Sequence, residues 1–368
     1  MAAGEDRMKF PKSTTHYFLA ILVCIASAVA ASEAQNPTPK PGTPTPPAVK
    51  TPAKVKIKEK ETKPPRVLGL PPQIDLGPGF TSERSIKVDP KVTLKLCVSQ
   101  GTVTVNGWSR NEVRVFVKDG SKYNFKVVEK SREGNPVWIS LVGIRQLPGG
   151  ATAPSDCIAG DEIELDVPET TDLTFKGGET TTSIERIRRV ALMTAGGGVT
   201  VRNVSQGVSA TTYDGDVIVT DSEGQMVLET TSGNIVASGV APSEAGNAFK
   251  AKTNSGAISL QKMEFRVADV NSISGSVLFT GDLLSGGSFS FSTTNGALRL
   301  AIPGTTSCRV FVTYAYGNFK SELPLQIITE NVSPGSVKRV VGTLGSVEGN
   351  DCTLRLTTNT GAIGIRKQ

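Results

Sequence analysis

The stretch Thr230-Thr231-Ser232-Gly233-Asn234-Ile235-Val236-Ala237 carries the pattern that decides the fold: a polar turn closing on glycine, then apolar residues at alternate positions. It returns as TNSGAISL (Thr253–Leu260), ISGSVLF (Ile273–Phe279) and TTNGALRL (Thr293–Leu300). Toward the N-terminus stand YDGDVIV (Tyr213–Val219) and AGGGVTV (Ala195–Val201); toward the C-terminus stand YGNFKS (Tyr316–Ser321) and NTGAIGI (Asn359–Ile365). Gly198, Gly215, Gly233, Gly256, Gly275, Gly296, Gly317 and Gly361 are read as the corner glycines, at intervals of 17, 18, 23, 19, 21, 21 and 44. The last interval reads as two periods of 22 with one weak copy between. Periods near twenty residues mean stacked units that bury a shared apolar interior. Glycine supplies the positive φ of a tight corner, and the preceding Thr, Ser or Asn can hold the turn by bonding to local backbone.

Outward from the repeats, alternation persists without the glycine period. VTLKLCV, TVTVNGW, EVRVFV, YNFKVVE and EIELDV each place apolar residues at every second position, the signature of a half-buried strand. Helical periodicity is absent from this part of the chain. The expected fold is all-β: a single-stranded, β-helix-like solenoid over 173–368, with an N-terminal β region over 76–172 capping one end. A β-sandwich is the alternative, although its turns usually recur every 8 to 12 residues.

The first 75 residues differ in kind. Arg7, Lys9 and Lys12 precede the apolar run FLAILVCIASAVAA (Phe18–Ala31), and small residues follow at Ala28–Ala30 and Ser32–Ala34. Residues 1–34 therefore read as a signal peptide, whose fourteen-residue apolar run is short for a membrane span; an uncleaved anchor is the competing reading, and the only route to the membrane. Residues 35–75 are rich in Pro and Lys and read as a disordered, extended linker. They hold eight Lys/Arg against three acidic residues, so most of the net +6 of the chain lies here and the remainder is close to neutral. A body without a basic face excludes nucleic acid as a partner.

Beyond Cys24, within the apolar run, four cysteines remain: Cys97, Cys157, Cys308 and Cys352. An even count in an exported chain suggests disulfides. Of three pairings, Cys97–Cys157 with Cys308–Cys352 is favoured because it places a clamp near each end of the folded body; four buried thiols are the alternative.

Catalytic chemistry is sparse. The one histidine, His16, lies in the predicted signal, so a mature chain has no Ser-His-Asp or Cys-His arrangement and no usual zinc site. Neither a cofactor nor a metal is expected. Asp214, Asp216, Asp221 and Glu223 are the nearest acidic candidates, but Asp214 and Asp216 fall at a turn-strand junction where solvated carboxylates are common. Trp108 and Trp138 lie in apolar strand patterns and are expected to fill the cap core. Surface-binding candidates are the basic cluster Arg186, Arg188 and Arg189, and the polar row before the glycines, represented by Thr231, Asn254, Asn295 and Asn359.

The order of the segments GTVTVNGWSRNEVRV, ELDVPETTDLTFKGG, TTSGNIVASGV, TNSGAISL, TTNGALRLAIP and LGSVEGNDCTLRLTTNTGAIGIRK resembles the adhesin-domain family of uncharacterised bacterial envelope proteins over about residues 85–368. The resemblance implies a secreted or surface β-solenoid and brings no catalytic residues. The expected function is an exported envelope or cell-surface structural or adhesion module, not an enzyme, with a glycan, cell-wall polymer or envelope protein as partner. A polysaccharide-acting β-helix enzyme and an accessory of an envelope sensor system are the alternatives.

Overall fold

The computed structural model describes residues 80–333, 337–346 and 351–368. The signal peptide expected over 1–34 and the linker expected over 35–75 lie outside the described residues. All described strands belong to one 26-stranded sheet, folded at its glycine corners into two walls that share one apolar core.

The middle of the molecule follows the sequence. Each rung is a pair of strands joined at a corner: Arg189–Gly196 with Val199–Arg202, Gly207–Asp214 with Val217–Glu223, Gln225–Ser232 with Ile235–Ala241, Phe249–Ser255 with Ile258–Met263, Val267–Ser274 with Val277–Thr280, and Ser288–Asn295 with Leu298–Ile302. First strands pair in parallel into one wall and second strands into the other. Stacked parallel rungs, rather than antiparallel strands in two sheets, make this a β-solenoid and not the sandwich. Alternation does the rest. Val208 and Ala210, Met226 and Leu228, Phe249 and Ala251, and Phe289 and Phe291 all point inward from the first wall and are buried.

The corners explain the glycine period. Each corner glycine sits under the carbonyl of the corner before it: a Cβ on Gly256 would fall 1.9 Å from the Gly233 oxygen, and one on Gly296 would fall 2.0 Å from that of Gly275. Gly256 also has a positive φ of 152°. Gly296 is not among the positive-φ residues, so close stacking, more than backbone handedness, excludes a side chain there. In the first copy the corner is Gly197, with φ 89°, and not the expected Gly198: the Gly215 position stacks on the Gly197 oxygen. Three adjacent glycines had hidden the register.

Both ends depart from sequence order. Thr93–Trp108 is one long strand that spans both walls and pairs in parallel with Asp172–Glu185 from Thr93↔Asp172 to Asn106↔Glu185. On its other side lie Pro136–Gln146 and Glu162–Pro168. The segment expected to cap the solenoid thus supplies rungs of its own, and the sheet runs unbroken across residue 172. Outside them the strands turn antiparallel: Glu112–Gly120 on Glu162–Pro168, Phe80–Lys87 on Glu112–Gly120, and Lys122–Lys130 on Pro136–Gln146. Arg114 stitches these outer strands, bonding Asp166 at 2.7 Å and Glu83 at 3.3 Å, and the Asp166 hydrogen bond raises its already high pKa.

At the C-terminal end, Cys352–Thr360 and Ile363–Lys367 lie between the 288–302 rung and the earlier Cys308–Tyr316 and Phe319–Ser321 strands. Among the described residues no weak copy fills the 44-residue interval. It holds Leu325–Asn331 and Lys338–Leu344, which pair antiparallel with each other and close the stack on Cys308–Tyr316.

The cysteines pair Cys97–Cys157 and Cys308–Cys352, with Cα separations of 4.4 and 4.5 Å. Each bond ties an interposed rung to the outer rung beyond it. Cys308 and Cys352 are direct register partners and fully buried, whereas Cys97, beside the Val98↔Ile158 bridge, is half-buried.

Candidate binding surface

Side chains before each corner alternate between two fates. Thr230, Thr253, Ser272, Thr293 and Thr358 point inward, and each hydroxyl donates to the carbonyl of the preceding corner: Gly215 at 3.0 Å, Gly233 at 3.0 Å, Gly256 at 3.0 Å, Gly275 at 2.8 Å and Gly296 at 3.1 Å. The hydroxyl thus supplies a donor to a half-buried corner carbonyl. The same glycines donate their N–H groups to Ser232, Ser255, Ser274, Asn295 and Thr360 on the next rung. Half of the polar row seen in the sequence is therefore mortar.

The other half faces solvent. The registers Thr230↔Thr253 and Ser232↔Ser255 place Thr231 beside Asn254, and the same column continues through Ile273, Thr294 and Asn359, with Tyr213 ahead of it. Asn295 lies one column over, with Ser274 and Thr360. Exposed Tyr213 and Ile273 interrupt the polar run, so the ladder is amphipathic rather than purely polar. Around the corner a second row is consumed by the backbone: Asp216 Oδ1 accepts from Asn234 N at 2.7 Å, and Asn234 Oδ1 accepts from Ala257 N at 2.9 Å. This gives Asp216 a structural task.

The basic cluster divides too. Arg188 spans three connections, donating to the Asp172 carboxylate, to Gln206 at 3.0 Å and to the Thr170 carbonyl at 3.3 Å. Arg186 pairs with the adjacent Glu185 at 3.0 Å. Arg189 is exposed and makes no side-chain bond among the described residues. Trp108 is half-buried, its indole N–H donating to the Glu112 carbonyl at 2.7 Å. Trp138 is 41% exposed, contrary to the expectation that it fills the core; its neighbour Ile139 takes the inward position.

One further feature is marked in the sequence only by the longer glycine interval before Gly256. The 23-residue interval between Gly233 and Gly256 places residues 242–248 between Ile235–Ala241 and Phe249–Ser255. Asn247 Oδ1 ties this loop by accepting from Ser243 N at 3.1 Å and Glu244 N at 2.9 Å. The loop overhangs the first wall and forms, with Arg189, Gln206, Gln225, Ser209 and Val227, a groove of about 300 Å³.

The sequence profile of the family described as Toastrack DUF4097 matches residues 84–346. The chain belongs to that family. The Toastrack match spans the N-terminal rungs, all the middle rungs and most of the C-terminal excursion. Among solved structures, a Clostridium sporogenes protein described as a "putative cell adhesion protein" is 10% identical, with 78% of this chain and 100% of that one covered at a TM-score of 0.24. So low a score carries no argument, and the Toastrack fold rests here on the pairings described above. No curated protein matches the chain.

Proposed function

We propose that this Toastrack chain is a non-enzymatic adhesion-type module, exported to the bacterial envelope or cell surface, that holds its target through the outward columns of the first wall. One observation carries the reading. Thr230, Thr253, Thr293 and Thr358 are bound into the corners, while their neighbours Thr231, Asn254, Thr294 and Asn359 repeat at rung spacing with no side-chain bond among the described residues. Rungs about 4.8 Å apart offer a glycan, cell-wall polymer or envelope protein a row of weak contacts whose sum gives avidity. Two disulfides suit an oxidising compartment, and the apolar segment Phe18–Ala31 followed by a Pro/Lys-rich stretch suits export and display. The resemblance of the ordered repeat segments to the adhesin-domain family adds to the reading.

Binding of the purified full chain to whole cells and to insoluble wall polymer tests the proposal. The triple variant T231K/N254K/T294K should lose binding while unfolding at the same denaturant concentration. Soluble sugar released from the polymer would contradict the non-enzymatic reading, and recovery of the chain in the cytoplasm with free thiols would contradict export.

A further inference from the structure

We propose that the groove beneath the 242–248 loop is a saccharide subsite that selects acidic sugars, with Arg189 receiving the carboxylate. The inference rests on the adhesion reading and gives it a location and a ligand class.

The floor of the groove is open because the positions between its walls are small. Gly207 stands between Arg189 and Gln225 in the outward register, and Ala191 and Ser209 occupy the next column. A side chain at Gly207 is doubly excluded: its φ is 126°, and a Cβ would fall 2.9 Å from the Gln225 carbonyl. Arg189 borders one side and the loop, with Glu244, the other, across rungs about 4.8 Å apart. Gln206 is held by Arg188, which in turn is fixed by Asp172, so part of the lining is pre-organised. The Arg189, Gln225, Ser209 and Glu244 side chains make no bond among the described residues, leaving a guanidinium, an amide, a hydroxyl and a carboxylate free to bind.

This set of groups suits a sugar better than a peptide. Peptide binding along a sheet uses unpaired backbone at an edge or apolar side-chain pockets. Here the floor strands are paired on both sides, and Val227 is the main apolar contact among outward side chains. An amide, a hydroxyl and a carboxylate match sugar hydroxyls, and an unpaired guanidinium forks onto a carboxylate.

Calorimetric titration of the full chain with trigalacturonate, its methyl ester and hexaglutamate tests the assignment. Trigalacturonate should bind; R189Q should weaken it by at least about ten-fold, the loss expected for one charge-assisted contact. E244Q should weaken it less, and K320Q, an exposed position in the far C-terminal strand outside the groove and the column, should leave it unchanged. Equal binding of the methyl ester or of hexaglutamate, or trigalacturonate binding indifferent to R189Q, would overturn the subsite. Failure of trigalacturonate to bind, while the chain still adheres to cells or polymer, would overturn the subsite alone. Failure of both would take the adhesion reading with it.

Discussion

The middle rungs and the two ends are built from the same alternating strands but ordered by different rules. From Arg189 to Ile302 each rung rests on the one before it in sequence, so every contact closes over about one repeat. At both ends the chain leaves a gap and later fills it: Thr93–Trp108 lies between 136–168 and 172–185, and Cys352–Lys367 lies between 288–302 and 308–321. A solenoid's weak points are its open edges. Interposing a rung makes each end depend on distant segments, and antiparallel strands then cover the last parallel edge. Such closures cost more chain entropy than stacking a neighbouring rung, and that is where the disulfides lie. The middle is instead held by its glycine corners and their hydroxyl bonds.

The largest expected effect separates a middle corner from an outer one. Gly256→Val forces a side chain toward a carbonyl 1.9 Å away, with Gly275 stacked on its other side, and should cost at least about 4 kcal/mol in urea unfolding. Gly317→Val meets the same clash with Gly361 but lies in the outermost rung, so about half that loss is expected. Equal losses would mean that the outer rung is as constrained as the middle.

Removing either disulfide as a Cys-to-Ser pair should cost about 4 kcal/mol, for closed loops of 60 and 44 residues. Mild reductant followed by thiol alkylation and mass analysis should trap Cys97 and Cys157 before the buried Cys308 and Cys352. The reverse order would break the distinction between the two ends.

A smaller effect tests the corner hydroxyls. Thr253→Val strips the Gly233 carbonyl of its donor and should cost about 1–3 kcal/mol. The Thr194 hydroxyl, at the junction where Thr180 stands in the corner column, has no partner among the described residues, so Thr194→Val should be neutral or stabilising.

The smallest effect is specific to the N-terminal cap. Tyr123 is buried and donates to the Val115 carbonyl at 2.6 Å, and burial raises its pKa above the ordinary 10.0. A raised pKa means that the folded state holds the proton more tightly. Its contribution is therefore intact below pH 10.0 and is lost as pH rises through the folded value. Unfolding followed from neutral to strongly alkaline pH should show a loss that Tyr123→Phe diminishes.

Much of the fold was legible because alternation and a glycine period are local patterns. TTSGNIVA needs no distant residue to say that Ile235 and Ala237 point inward. The cysteine pairing was readable because a clamp at each end followed from position alone. The interposed rungs were not: a strand such as TLRLTTNT carries the same alternation whichever rung it adjoins, and only long-range register decides its neighbour. Thr230 and Thr231 looked alike in the sequence and take opposite roles because one residue along a strand changes the face. The groove arises where the 242–248 loop overhangs the first wall, and only the longer interval before Gly256 hinted at it.

The proposed binding column reaches Asn359 only if the C-terminal rung lies against 288–302. Paired cysteines placed at outward-facing register positions test that order most directly, read by non-reducing digestion and mass spectrometry in the otherwise native chain. Ser292 and Thr357 are register partners, so S292C/T357C should form a cross-link, whereas S292C/T313C, separated by the interposed rung, should not. A cross-link between positions 292 and 313, with none between 292 and 357, would contradict the account and return the rungs to sequence order.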